Sequence, residues 1–226
     1  MEWLAELPER WPDMWPELWL GTLDTLYMVA WATVFTILLG LPLGVLLVVT
    51  DRGGLAQARW VKVVLGAVVN VGRSLPFIVL MVAVLSLTRL ITGTTFGPTA
   101  AIVPLSIGAI PFFARLVETS LREVDREVIE AAHAMGARRL TIVGKVLLVE
   151  SLPGLVAGLV MTVVTLISYS AMAGAIGGGG LGDIAIRYGY QRFDDLYLAA
   201  TVVLLIVIVQ GVQSLGDVVV RRVSRR

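Results

Sequence analysis

Residues 125–153 read DREVIEAAHAMGARRLTIVGKVLLVESLP, the longest charged, amphipathic segment in a chain that is otherwise nearly all lipid-soluble. Asp125 predicts a helix start, because its carboxylate can accept hydrogen bonds from the unpaired N–H groups of a first turn. Helix formers follow as far as Met135. Gly136 then stands where a helix closes in a left-handed residue. From Arg138 to about Val149, the residues Leu140, Ile142, Val143, Val146 and Leu147 are interspersed with Arg138, Arg139 and Lys145, which predicts a second short helix. The segment reads as helix, glycine turn, helix, lying between two membrane spans.

Composition supports those spans. The chain has 226 residues, 57% hydrophobic and 15% charged, with a mean hydropathy of +0.86. A soluble domain of this length would carry about 25% charged residues. The charges are also segregated into short clusters between long uncharged runs. A net charge of +1 carries no indication of a nucleic-acid partner. The absence of cysteine excludes disulfides, thiol catalysis and cysteine metal sites, and a single histidine, His133, makes a histidine metal centre implausible.

Taken in order, residues 1–17 carry Glu2, Glu6, Glu9, Asp13 and Glu17 against Arg10 alone, with Trp3, Trp11 and Trp15, and Trp19 just beyond. This start lacks the basic region and cleavage site of a signal peptide. Indole rings favour the membrane interface, so residues 1–20 are either a segment lying at the outer surface or a frayed terminus. No charge occurs between Asp24 and Asp51, enough for one span of ~20 apolar residues, with a kink expected at Gly40, Pro42 and Gly44. A basic turn follows, with Arg52, Arg59 and Lys62. Val63 to Ile91 is apolar but interrupted at Arg73-Ser74-Leu75-Pro76, which predicts an entry helix, a break, and a second span from about Pro76 to Arg89. Arg73 is either an interface anchor or a pathway residue. Thr92 to Pro98 reads as a turn, about Thr99 to Leu116 as a third span, and about Leu152 to Met172 as a fourth. The run AGAIGGGGLGD reads as a flexible turn. Its G-x-G-x-x-G spacing at Gly177, Gly179 and Gly182 lacks a βαβ setting, so a dinucleotide site is rejected. Gly144-Lys145 lacks the spacing and the Ser/Thr of a phosphate-binding loop. A fifth span is expected from Leu196 to about Leu215.

The basic residues orient these spans. With the 51–62 loop, the 125–150 segment and the tail inside, fourteen of the eighteen Lys and Arg residues are inside, leaving Arg10, Arg89, Arg187 and Arg192 outside. Only an odd number of spans puts the N-terminus outside and the C-terminus inside. The expected fold is therefore an all-α membrane protein, a single domain over 1–226 with five transmembrane helices, the N-terminus outside, the C-terminus inside, and a cytoplasmic helical segment over 125–150.

Glu130-Ala131-Ala132, three residues, then Gly136 resembles the EAA loop of ABC-transporter permeases, a short helix that docks into a partner ATPase. Small alanines allow close approach, Glu130 offers a charge, and Gly136 permits the turn. Further residues narrow the likeness: Arg73-Ser74-Leu75-Pro76-Phe77-Ile78, Ala101-Ile102-Val103-Pro104-Leu105, Lys145-Val146-Leu147-Leu148, Leu152-Pro153-Gly154-Leu155, and above all Tyr169-Ser170-Ala171-Met172-Ala173-Gly174-Ala175-Ile176-Gly177 with Gly179-Gly180-Leu181-Gly182 and Tyr188-Gly189-Tyr190. From Gly21 onward the chain resembles the membrane subunit of methionine-import ABC transporters. One departure is that the EAA pattern usually closes in Leu-Pro, whereas Leu148 is followed here by Val149, with Pro153 four residues on. The second coupling helix is therefore expected to run straighter into the fourth span.

The resemblance implies a non-enzymatic translocation subunit in a bacterial inner membrane. Its implied partners are a second copy of itself, two cytoplasmic ATPase subunits that bind ATP and Mg, an external methionine-binding lipoprotein, and membrane lipid. No cofactor or metal is expected in this chain. The implied coupling residues are Glu130, Ala131, Ala132, Gly136, Arg138 and Lys145. The implied pathway residues are Arg73, Ser74 and Pro76, with a gate at Tyr169, Ser170 and Met172. Tyr169 and Ser170 are polar groups in an uncharged span and should face protein or water. Met172 carries a flexible thioether, and Ala171, Ala173 and Gly174 are small enough for close helix approach. Three readings compete with it. A secondary transporter would favour intramembrane carboxylates or other proton-relay groups, and the fourth and fifth spans carry none. A structural membrane protein would not need an EAA loop. An importer of another small amino acid stands closest.

Overall fold

A computed structural model describes residues 7–224, and every regular element among them is helical. The long helices are α1 (Leu7–Val49), α5 (Pro98–Arg122), α9 (Leu152–Gly174) and α11 (Asp195–Val223). Between them lie α2 (Arg59–Ser74), α3 (Phe77–Ala83), α4 (Leu85–Thr92), α6 (Arg126–Ala134), α7 (Arg139–Ile142), α8 (Leu148–Glu150) and α10 (Gly180–Ile184). Two π-helical stretches, Val143–Leu147 and Ala185–Tyr190, follow α7 and α10. Four helices are long and apolar enough to cross a membrane, or five if α2 and α3, bent at their junction, count as one.

The sequence placed the third, fourth and fifth spans well; each is longer than expected because the helix runs on past the apolar stretch. Elsewhere the structure corrects it. α1 runs as one helix from Leu7 to Val49, through Gly40, Pro42 and Gly44. Those glycines serve packing: a Cβ at Gly40 would meet the Phe113 ring at 3.1 Å, and one at Gly44 would meet Val117 at 2.5 Å. Residues 7–20 belong to the same helix, and Glu2, Trp3 and Glu6 of the expected outer segment lie outside the described residues. Trp11, Trp15 and Trp19 stack along one exposed face, with ring centroids 5.5 and 6.0 Å apart. The second span is not a single helix. Leu75 is extended ahead of Pro76, and Val84 leaves the helical conformation (φ −96, ψ 6), dividing α3 from α4. The glycine-rich run is not merely a flexible turn, since residues 180–190 are helical.

The chain forms two compact units. One takes α1 up to Val34, Pro76–Ile107 and Val163–Gln213. Its buried cluster joins Met14, Leu18, Ile184, Leu196 and Tyr197, and Thr25 Oγ1 accepts a hydrogen bond from Leu181 N at 2.9 Å. Here α10 lies directly on the end of α9: a Cβ at Gly182 would fall 2.4 Å from Ala171 O, and one at Gly174 2.2 Å from Asp183 N. The other unit takes Phe35–Leu75, Gly108–Thr162 and the end of α11 from Ser214. Its core comprises Phe113, Val117, Leu121, Leu147 and Leu155, with Leu47, Val69 and Ala114 beside them.

Candidate functional site

The segment 125–150 folds as its residues dictate. Asp125 is extended, and its Oδ1 accepts from Glu127 N at 2.9 Å, capping α6. Gly136 has φ +78, the left-handed conformation that closes a helix. Ala137 N then reaches back to Ala132 O at 3.1 Å. Arg138 is extended ahead of α7, and helix continues through the π-helical turn to Glu150. Ser151 N donates to Leu147 O and Leu155 N to Ser151 O, so the hydrogen-bond ladder passes almost unbroken into α9, as the missing Leu-Pro suggested.

One face of the segment is held and the other is free. Ala132, Ile142 and Leu147 are buried. Glu130, Ala131, Gly136, Arg138 and Lys145 are exposed, and a Cβ at Gly136 would meet nothing within 4 Å. Among the described residues, Glu130, Arg138 and Lys145 make no ion pair within the chain. Met135 and Leu140 stand 81% and 86% exposed beside them, an apolar pair on a charged surface. The face therefore presents charged groups and bare apolar side chains side by side.

The three residues expected at a gate between two copies have different surroundings within one chain. Tyr169 is half-buried and stacks on Phe77, with centroids 4.2 Å apart and planes 6° from parallel. Ser170 is buried and donates to Ile167 O of its own helix at 2.7 Å, so its polarity is satisfied without a water-lined path. Met172 is 47% exposed. It lines an open apolar groove of about 650 Å3 with Ile78, Ser168, Ile206 and Gln210. Arg73 lies in the last turn of α2 and is exposed, Ser74 Oγ donates to Asn70 O at 2.8 Å, and Pro76 precedes α3 as its N-cap.

The sequence reading missed a charge cluster. Glu118 on α5 has a side chain only 3% exposed. It accepts from Lys62 at 2.5 Å, from Arg115 at 2.5 Å and from Arg122 at 2.8 Å. Arg122 also binds Asp51, and Lys62 Nζ donates to Leu47 O at 3.0 Å. Hydrogen bonding from Arg122 holds the Asp51 carboxyl below the usual carboxylate range. The cluster ties the end of α1 to α2 and α5. Its signal in the sequence is Arg115, Glu118 and Arg122 at helical spacing. A second missed cluster stacks Tyr188 on Tyr197 at 4.6 Å, with both hydroxyls donating to Glu17 and with Arg187 and Arg192 against the Tyr188 ring.

Comparison with known proteins places this geometry in context. Residues 37–225 match the family model of the binding-protein-dependent transport system inner membrane component. A probable D-methionine transport system permease protein, MetI, of Vibrio cholerae is 57% identical over 206 residues, covering 91% of this chain and 92% of that protein. The methionine import system permease protein MetP of Bacillus subtilis is 46% identical over 207 residues, covering 91% and 93%. A solved structure of inward-facing conformations of the MetNI methionine ABC transporter superposes with a TM-score of 0.92 at 46% identity, covering 94% of this chain and 98% of that one.

Proposed function

The chain belongs to the family of binding-protein-dependent transport system inner membrane components, and from that premise we propose that it is the pathway-forming permease subunit of an ATP-driven methionine importer. It is a multi-pass protein of the bacterial inner membrane, working with a partner ATPase. Two copies of the chain enclose the pathway, two ATPase subunits bind ATP and Mg in the cytoplasm, and an external lipoprotein delivers L- or D-methionine. The N-terminus lies outside, and the 51–62 loop, the 125–150 segment and the C-terminus lie inside, as the basic residues favour.

The observation that carries this reading is the exposed face of α6, Gly136 and α7. Among the described residues Glu130, Arg138 and Lys145 have no ion-pair partner, and Met135 and Leu140 are bare apolar surface beside them. The segment docks on the ATPase. When ATP draws the two ATPase subunits together, the docked segments move with them, and the helical ladder through Ser151 carries that movement into α9. The pathway opens outward to take methionine, and hydrolysis resets it inward.

The test is a reconstituted transporter carrying Glu130→Arg or Gly136→Pro. Proline fixes φ near −65° and cannot take the positive φ of residue 136. Both variants are expected to insert normally and lose methionine uptake driven by ATP. Normal coupled hydrolysis and uptake in both variants refutes the docking assignment. Orientation is read separately in this cysteine-free chain. A cysteine placed at 193 should react with an impermeant maleimide in intact cells, and one at 53 only after permeabilisation.

A further inference from the structure

Behind the coupling segment, within one compact unit, lies a cavity of about 380 Å3. Its walls have two characters. Val49 ends α1, Leu121 lies near the end of α5, and Ile129 and Leu147 come from the coupling segment, giving an aliphatic side. Arg52, Arg126 and Arg139 supply a cationic rim, with His133 between them. Arg122 also reaches the cavity but is engaged by Asp51 and Glu118. The three rim arginines are exposed and make no ion pair among the described residues, and Glu130 is the one lining carboxylate not already paired. Three guanidinium groups around one hollow, set against the single unpaired carboxylate of Glu130, leave it net positive and receptive to an anion.

The position of the cavity narrows the anion. The charge-free run of α1 ends at Asp51, and α5 ends at Arg122. The cavity therefore opens where the hydrocarbon of a bilayer gives way to headgroups. A free phosphate or nucleotide would satisfy the arginines but leave the aliphatic wall unused. A phospholipid matches both sides, because its phosphate diester is anionic and its first methylenes are apolar. Basic pockets at cytoplasmic helix ends bind anionic headgroups.

We propose that this cavity is a binding site for one anionic phospholipid, with the phosphate held by Arg52, Arg126 and Arg139 and the upper acyl chain laid on Val49, Leu121 and Leu147. The inference rests on the cytoplasmic orientation of the coupling segment given above. Because Ile129 and His133 on α6 form part of the wall, an occupied site braces the coupling segment against the end of α1. Anionic lipid should therefore raise coupled uptake.

The experiment uses the assembled transporter in nanodiscs of equal phosphatidylglycerol and phosphatidylcholine, released into mild detergent for native mass spectrometry. The expected result is phosphatidylglycerol retained over phosphatidylcholine. Replacing Arg52, Arg126 and Arg139 together by Gln should cut that preference by about fivefold per arginine, and Lys at the same three positions should restore most of it. Wild-type protein supplies an independent measurement. Phosphatidylglycerol with a headgroup diazirine should crosslink to peptides containing 48–55 and 121–139. Equal retention of the two lipids, retention unchanged in the Gln variant, or crosslinks confined to other peptides overturns the proposal. Displacement of the bound mass by inorganic phosphate or ATP would mean a soluble ligand and would also overturn it. Methionine uptake in phosphatidylcholine alone and cysteine labelling at 53 test the functional reading separately, so the two can fail independently.

Discussion

At position 118 a nearly buried carboxylate meets three cations, and this single residue joins three helices. Lys62 comes from α2, Arg115 and Arg122 from α5, and Lys62 in turn holds the Leu47 carbonyl near the end of α1. Glu118→Gln would leave those cations facing a neutral amide, and removing one partner of a buried ion pair typically costs about 3 kcal/mol or more. Thermal unfolding of the purified complex should show that loss, whereas replacing Lys62 and Glu118 together by Met should cost less than the single change. Asp194 offers a pH test. Burial opposes its charge, but Arg10 and the backbone N–H groups of Tyr197 and Leu196 prevail and hold it below its ordinary 3.8. The folded state then binds fewer protons than the unfolded state, so this contribution is complete above the ordinary value and is lost as pH falls below it. Hydrogen exchange at the start of α11 should accelerate as pH drops through that window, after correction for intrinsic rates, and Asp194→Asn should remove the dependence. Asp125 and Gly136 were legible in the sequence because cap and turn chemistry are local. Glu118 was not fully legible, because Lys62 stands 56 residues away and only the fold brings it near.

Among the elements, the short helix α10 shows where sequence reading lost the fold. A glycine-rich run reads as loop because glycine lowers helix propensity. Here Gly177, Gly179 and Gly180 do take positive φ, as turns require. Gly182 serves another purpose, giving room for the backbone at Ala171. Spacing alone does not separate the two uses. Gly182→Val would force a side chain against a main chain that cannot rotate away. Its expected cost exceeds ~2 kcal/mol, read as a lower melting temperature and poorer recovery of the assembled complex. Gly136→Ala makes the contrast, since its Cβ meets open space and only the positive φ resists it. The π-helical stretches and the break at Val84 had no signal in periodicity, because one residue more or less per turn leaves an apolar run apolar. The long helices were legible because charge-free runs of that length have few other solutions.

For the whole molecule, the question is what covers the groove beside Met172. An apolar groove costs little in lipid, so Ile78 and Ile206 alone do not require a cover. Gln210 does, since it is exposed on α11 within the same groove and has no hydrogen-bond partner among the described residues. An amide in hydrocarbon needs protein or water beside it. In the assembly proposed above, a second copy of the chain would supply both, with the groove facing the shared pathway. Of the three gate residues expected from the sequence, Tyr169 is stacked on Phe77 and Ser170 is bonded within its own helix, so we propose Met172 as the residue that closes the path. Its side chain is flexible enough to fill a closed gap and yield as the helices part. Met172→Cys in this cysteine-free chain places one thiol on each copy. The two should crosslink in the resting transporter, the yield should fall when ATP is trapped in the partner subunits, and the crosslinked form should not take up methionine. A yield that does not respond to nucleotide, or full uptake by the crosslinked pair, would move the gate away from Met172 while leaving the family and the coupling segment untouched.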